Sequence, residues 1–263
     1  MPTITHLYRY PIKGMSPEVL QRTFLKIGKT IPLDRHFALA HGTTEFNPKV
    51  PQHLSKTHFL MLMKNERLAA LDTVYNDSTG ILQIFQNDQQ IACGNLQNIE
   101  GQKQIEKFFA HYLGDEIRGT PKLVQAPSHS FSDVDAKVLS CINLASIREL
   151  EKVLGTKVHP LRFRANVYFE GASPWEDLDW VGKEFRLGTA KVRGVKLIKR
   201  CVATNVNPQT AVRDLKIPRT LLDTYGHPDF GIYVEVISDG EIAVGDKFVC
   251  TEGNHHKGLP LQA

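Results

Sequence analysis

The chain has 263 residues, 41% hydrophobic and 23% charged, with a net charge of +4. Such a balance, without low-complexity tracts, describes an ordinary globular protein and excludes disordered and fibrous classes. Its lysines and arginines are scattered rather than bunched, which argues for a small anionic ligand and against a nucleic-acid surface.

The opening MPTITHLYRYPIKG has neither the cationic start nor the apolar run of a secretory signal, and no window approaches the ~18 apolar residues of a membrane span. A cytoplasmic protein with no membrane partner is therefore expected. Short β-type runs fill the first hundred residues: HLYRYPI, VLQRTFLKIG, RHFALAHG, FLMLMK, ILQIFQ and QQIACGN. They predict a β-barrel or sandwich. Ile105, Phe108, Phe109, Tyr112 and Leu113 then recur at helical spacing before Gly114, which predicts an amphipathic helix over 99–113. A Gly- and Pro-containing stretch around 115–130 marks a boundary, dividing the chain into units of 1–120 and 121–252 with a tail at 253–263.

In the second unit a helix is expected over 144–154, closed by Gly155, followed by strands in FRANVYFEG and KEFRLGTAKVRGVKLIK. PRTLLDTYGHP predicts a short helix. GIYVEVISDGEIAVGDKFVC predicts a hairpin turning at Asp239-Gly240, with Ile232, Val234 and Val236 alternating against Ile242 and Val244. The fold class is mainly β with a few helices (α+β). The tail's His255-His256 pair is read as a mobile end rather than a metal site.

Four stretches combine special side chains with turn signals: YRYPIKGM with Lys13, PLDRHF with Arg35, RFRAN with Arg162 and Arg164, and KRCVATNVNPQT with Arg200, Cys201 and Thr204. In an extended RFRAN, Arg162 and Arg164 share one side. Cationic groups at strand ends can converge on phosphate oxygens; the plainer reading of each is a solvated surface charge. The four cysteines, Cys93, Cys141, Cys201 and Cys250, contain no Cys-x-x-Cys pair, which excludes a zinc ribbon or dithiol motif and leaves free thiols in a reducing compartment. Cys201 alone follows a basic residue, where a thiolate is favoured for attack on electrophiles or for thiophilic metals. Residue chemistry leaves it open between that role and a buried structural thiol.

YPIKGM followed by PLDRHFAL resembles the N-terminal β-barrel that accompanies MOSC domains, and RFRANVYFEGASPWEDLDW, KRCVATNVNPQTA and GEIAVGDKF resemble the MOSC domain itself, in family order across about residues 3–250. The resemblance implies an N-terminal β-barrel domain plus a MOSC β-barrel domain, with a molybdenum cofactor (molybdopterin) between them. It implies Cys201 as molybdenum ligand, and Lys13, Arg35, Ser140, Arg164, Asn166, Arg200 and Thr204 as cofactor-binding residues. Asp133 in FSDVD stands where relatives often carry an acidic residue, and is a catalytic candidate alongside a turn or helix-cap reading. The implied activity is reduction of N-hydroxylated small molecules, such as hydroxylaminopurines or amidoximes, fed by a separate electron donor of ferredoxin-like or flavin-reductase type. A carrier of persulfide sulfur or of the cofactor is the alternative. The chain departs from the family pattern at Gly14, where serine is usual, at Ala165, where proline is usual, and in lacking a proline or cysteine ahead of Arg200-Cys201.

Overall fold

A computed structural model describes residues 1–251; the tail with its His255-His256 pair lies outside the described residues. The first strands are β1 (Thr3–Arg9), β2 (Glu18–Leu20), β3 (Arg22–Leu25) and β4 (Phe37–Ala40). Next come β5 (Asp72–Asn76), β6 (Ile81–Gln86), β7 (Gln89–Asn95), helix α1 (Ile99–Leu113) and β8 (Lys122–Gln125). The second half holds β9 (Val138–Asn143), α2 (Leu144–Leu154), β10 (Val167–Glu170), β11 (Glu184–Leu187), β12 (Ala190–Lys199), α3 (Ile217–Tyr225), β13 (Asp229–Ser238), β14 (Gly240–Ala243) and β15 (Phe248–Thr251). The described residues are thus mainly β with three α-helices, as the patterning predicts. Among the described residues no helix is long and apolar enough to cross a membrane.

Eight strands form one sheet in the order β15-β11-β12-β13-β9-β10-β1-β2. Its β9/β10 pair is parallel, and α2 supplies the crossover that a parallel pair requires. The sheet curls into a half-barrel: Ile4 N donates to Asp246 O at 2.8 Å and Phe248 N to Pro2 O at 2.9 Å, bringing its far end back against β1. Alternation assigns the two faces. Leu7, Cys141, Phe169, Ile232 and Val234 point into the curl, while Ile142 and Tyr168 point outward beneath Ile147 and Leu150 of α2 and Ile217 and Leu221 of α3. Phe230 joins them because the irregularity at Gly231 (φ 82°) breaks the alternation before Ile232.

Helix α1 begins where Asn98 Oδ1 accepts from Gly101 N at 2.8 Å, a standard N-cap. Its Ile105, Phe109 and Leu113 recur every fourth residue and cover Leu82 and Ile84 of the antiparallel β5-β6-β7 sheet and Leu96 just beyond β7. Helix α2 begins with Asn143 Oδ1 accepting from Ala145 N at 3.0 Å and ends at Gly155 in the left-handed region (φ 65°). Both helices occupy the spans their periodicity predicts.

Three strand expectations differ. FLMLMK is no strand: Phe59 and Leu60 bridge to β4, and Met61 O accepts from Lys64 N and Asn65 N to form a turn. VLQRTFLKIG splits at Gln21, with β2 pairing β1 and β3 pairing β14. Asp239-Gly240 does not close a hairpin, because β13 pairs β12 and β9 while β14 leaves the sheet for β3. Asp239 Oδ1 instead accepts from Ile27 N at 2.7 Å. Ile232, Val234, Val236 and Ile242 are buried as expected, but Val244 is exposed.

Candidate functional site

Strand β12 ends at Lys199, and Arg200 and Cys201 follow it into a short 3-10 turn, Val202–Asn205. Thr204 Oγ1 donates to Cys201 O at 2.9 Å and Thr204 N to the same oxygen at 3.1 Å, so the threonine three residues on fixes the backbone that presents the sulfur. The half-buried Cys201 faces a cavity of about 270 Å³. Lys13, Arg35, Asp133, Ser140, Arg164, Asn166, Arg200 and Thr204 line that same cavity. All the residues singled out in the sequence therefore come together in space.

They are not equivalent donors. Ser140 Oγ donates to Asn166 Oδ1 at 2.9 Å, and Asn166 Nδ2 to Tyr8 O at 3.2 Å, so this pair is engaged in joining β9 to β1 and forms wall. Arg35 donates to Asp34 Oδ2 at 2.5 Å and to Arg164 O at 2.9 Å, with its guanidinium carbon 4.3 Å from the Tyr10 ring centroid. Arg164 stacks on the same ring at 4.4 Å, and its side chain makes no hydrogen bond among the described residues. Arg200 donates to Phe230 O at 2.8 Å and Phe163 O at 3.0 Å, yet its buried Nη2 has no partner. An orphaned guanidinium nitrogen costs free energy unless something fills the gap, and it belongs to a residue lining this cavity.

Lys13, only 5% exposed, donates to Phe131 O at 2.9 Å and to Asp133 Oδ1. Burial lowers its pKa, with Asp133 acting in the opposite direction. For Asp133 burial acts upward, but the ammonium of Lys13, helped by Lys56 and Arg35, brings the carboxyl down to about 2. Lys56 lies 3.7 Å from Asp133 Oδ2. Burial works against its charge, but Asp133 and the adjacent Cys201 outweigh it and hold its pKa above the ordinary lysine value. The cavity thus carries Lys13, Arg35, Lys56, Arg164, Lys196, Lys199 and Arg200 against the carboxylates of Asp34 and Asp133. Its field strongly favours an anion.

Arg162 differs from the expectation. Pro160–Phe163 form a 3-10 turn and Arg164 is left-handed (φ 50°), so RFRAN is not extended. The Arg162 guanidinium is committed through its terminal nitrogens to Asp214 at 2.5 Å and Asn205 O at 2.8 Å, leaving only its buried Nε without a partner, whereas Arg164 keeps all its donors free. The departures from the family pattern also have local reasons. Gly14 has φ 83°, and a Cβ there would stand 3.2 Å from Leu60 O, a setting that penalises serine. Ala165 N donates to Tyr168 Oη at 3.0 Å, a bond a proline could not make.

Three contributors escaped the sequence reading. Lys56 sits in the unremarkable loop LSKTHF, Tyr233 lies mid-strand, and Arg213 ties the Cys201 turn to the facing wall. Arg213 donates to Val202 O at 3.2 Å, Leu62 O at 3.1 Å, Met63 O at 3.0 Å and Glu66 Oε2 at 2.9 Å. Only Arg213, as a charge closely following the Cys201 motif, carried a local signal.

The geometry is that of a β half-barrel presenting one cysteine to a cationic cavity. The MOSC domain profile matches residues 127–249. The human protein named mitochondrial amidoxime reducing component 2 is 32% identical, over 93% of this chain and 82% of its own length. The chain belongs to the MOSC domain family. The cattle protein of the same name is 30% identical over 43% of this chain; that match spans 36%, about a third, of the cattle protein's length. Among solved structures, the Bacillus subtilis YUAD protein covers 94% of this chain, and 93% of that chain is matched, at 15% identity and a TM-score of 0.43.

Proposed function

We propose that the chain is a molybdenum-dependent reductase of N-hydroxylated small molecules, hydroxylaminopurines and amidoximes among them, with Cys201 as the protein's ligand to the metal. The observation that carries this reading is one half-exposed sulfur facing a cavity whose guanidinium groups have unused donors: all of Arg164's, and Nη2 of Arg200. These residues fit a phosphate-bearing pterin cofactor, since guanidinium donors match phosphate oxygens. No group of three His, Cys, Asp or Glu side chains able to hold a bare metal ion occurs among the described residues. The chain would therefore offer a single thiolate, and the remaining ligands would come with the cofactor. When bound, that cofactor supplies two-electron removal of oxygen from an N–OH group, which the protein itself cannot supply.

The protein's own part is binding and orientation. Arg164, Arg200, Lys13 and Arg35 would hold the anionic cofactor, with Ser140, Asn166 and Thr204 shaping the wall. Asp133, held near 2, stays ionised at neutral pH and so is no proton donor; it fixes Lys13 and Lys56 instead. We take the electrons to come from a separate protein of ferredoxin-like or flavin-reductase type, and the location to be cytoplasmic. Subcellular fractionation would decide between this and the mitochondrial location that the relatives' names carry.

Protein from a cofactor-competent host is expected to carry about one molybdenum per chain with a pterin. Cys201→Ser should lose the metal and the activity while circular dichroism stays unchanged. Wild-type activity in that variant would overturn the reading. Half-exposure of the sulfur beside Lys56 also suits the carrier reading, for which mass spectrometry would find an extra sulfur on Cys201 and elemental analysis no metal.

A further inference from the structure

A second cavity, of about 300 Å³, lies on the other side of the wall formed by residues 31–36 and 128–133. Lys26, Lys29, Lys137, His36 and His129 surround it, and none of these five side chains makes a hydrogen bond or ion pair among the described residues. The only carboxylate in its lining, Asp34, is turned away: its Oδ1 accepts from Tyr10 N at 2.9 Å and its Oδ2 from Arg35 at 2.5 Å. The remaining lining includes Ile31, Pro32 and Leu33, with Ile31 1% exposed. Leu33 and Arg35 are both left-handed, at φ 64° and 51°. These reversals let neighbouring residues of one segment serve different cavities, Leu33 the second and Arg35 the first.

We propose that this second cavity is a binding site for a small organic carboxylate with an apolar body. Its volume falls at the low end of small-molecule sites, about 300–1,000 Å³, so an inorganic ion alone would leave the accessible apolar lining of Phe24, Pro32 and Leu33 wet. Three ammonium groups without an ion pair, in a lining whose one carboxylate is already engaged, select a negative head. The apolar lining of Phe24, Pro32 and Leu33 selects the body, because covering it removes hydrocarbon from water. The site is independent of the redox reading and of Cys201.

Isothermal titration of the full-length chain with 2-naphthoate tests it. Saturable one-to-one binding is expected, with 2-naphthamide at least ~10-fold weaker and inorganic phosphate failing to compete; a tenfold change corresponds to about 1.4 kcal/mol. The exposed-charge double variant Lys29→Glu/Lys137→Glu should weaken naphthoate at least ~10-fold, and Leu33→Asp, which keeps a residue tolerant of left-handed backbone, should do the same. Arg164→Ala, which alters only the first cavity, should leave the affinity unchanged. The proposal is overturned by absence of saturable binding, by equal binding of the amide, by competition from phosphate, or by an affinity that falls with Arg164→Ala and not with the lysine variant.

Discussion

Lys13 illustrates how a single residue's position decides its chemistry. At 5% exposure its ammonium is held by Phe131 O and Asp133, which accept from it, and Asp133 opposes the lowering of its pKa by burial. Asp133 is the more solvated partner, with a side chain 48% exposed, so its contribution is screened and comes to about 1 kcal/mol. Its pKa is depressed from 3.8 to about 2, so its stabilisation is fully present above about pH 4 and is lost as pH falls through 2. Asp133→Asn should therefore cost about 1 kcal/mol at neutral pH, and the gap from wild type in denaturant titrations should close between about pH 4 and 2. A gap independent of pH would show that the carboxylate's charge does not matter. At this scale the motif residues were legible because strand-end cations and a basic-flanked cysteine are local signals. Lys56 was not, since only the fold brings its loop opposite Cys201.

The same limit governs whole elements. Helices α1 and α2 could be delimited because cap, periodicity and terminal glycine all lie within the element. Strand pairing does not. Asp239-Gly240 has hairpin chemistry, yet the partners of β13 and β14 are set by β12, β9 and β3, far away in sequence. Gly240 serves another need: a Cβ there would fall 2.3 Å from Ala190 N and 2.4 Å from Thr189 C. Backbone atoms cannot rotate aside, so Gly240→Ala should destabilise by about 2 kcal/mol. Thermal melts would register this as a lower Tm, whereas an unchanged Tm would mean that the β11-β12 turn yields without cost. FLMLMK likewise reads as a strand, but its apolar residues are needed at a turn: Leu60 is buried against the first half's core while Met61 to Met63 line the cavity.

For the molecule as a whole, β1 and β2 continue the sheet that β9, β10 and β11 to β13 build, and β3 receives β14. Residues 121–251 expressed alone would leave β10 with an open edge and uncover Leu7's neighbours in the curl, including Val167 and Phe169. That fragment is expected to be insoluble or molten, judged by loss of near-ultraviolet dichroism and by dye binding. A cooperative melt from it would show that the second half stands by itself. Composition and alternation made the β class readable from the start, whereas this interleaving left no local trace.

The return of the chain's opening strand to the far sheet has a consequence for synthesis on the ribosome. Strand β1 can pair early with β2, but its other edge waits until more than a hundred and fifty later residues deliver Tyr168 and Phe169 to it. Assembly of the half-barrel is thus a late event dominated by distant contacts, the kind of topology that folds slowly.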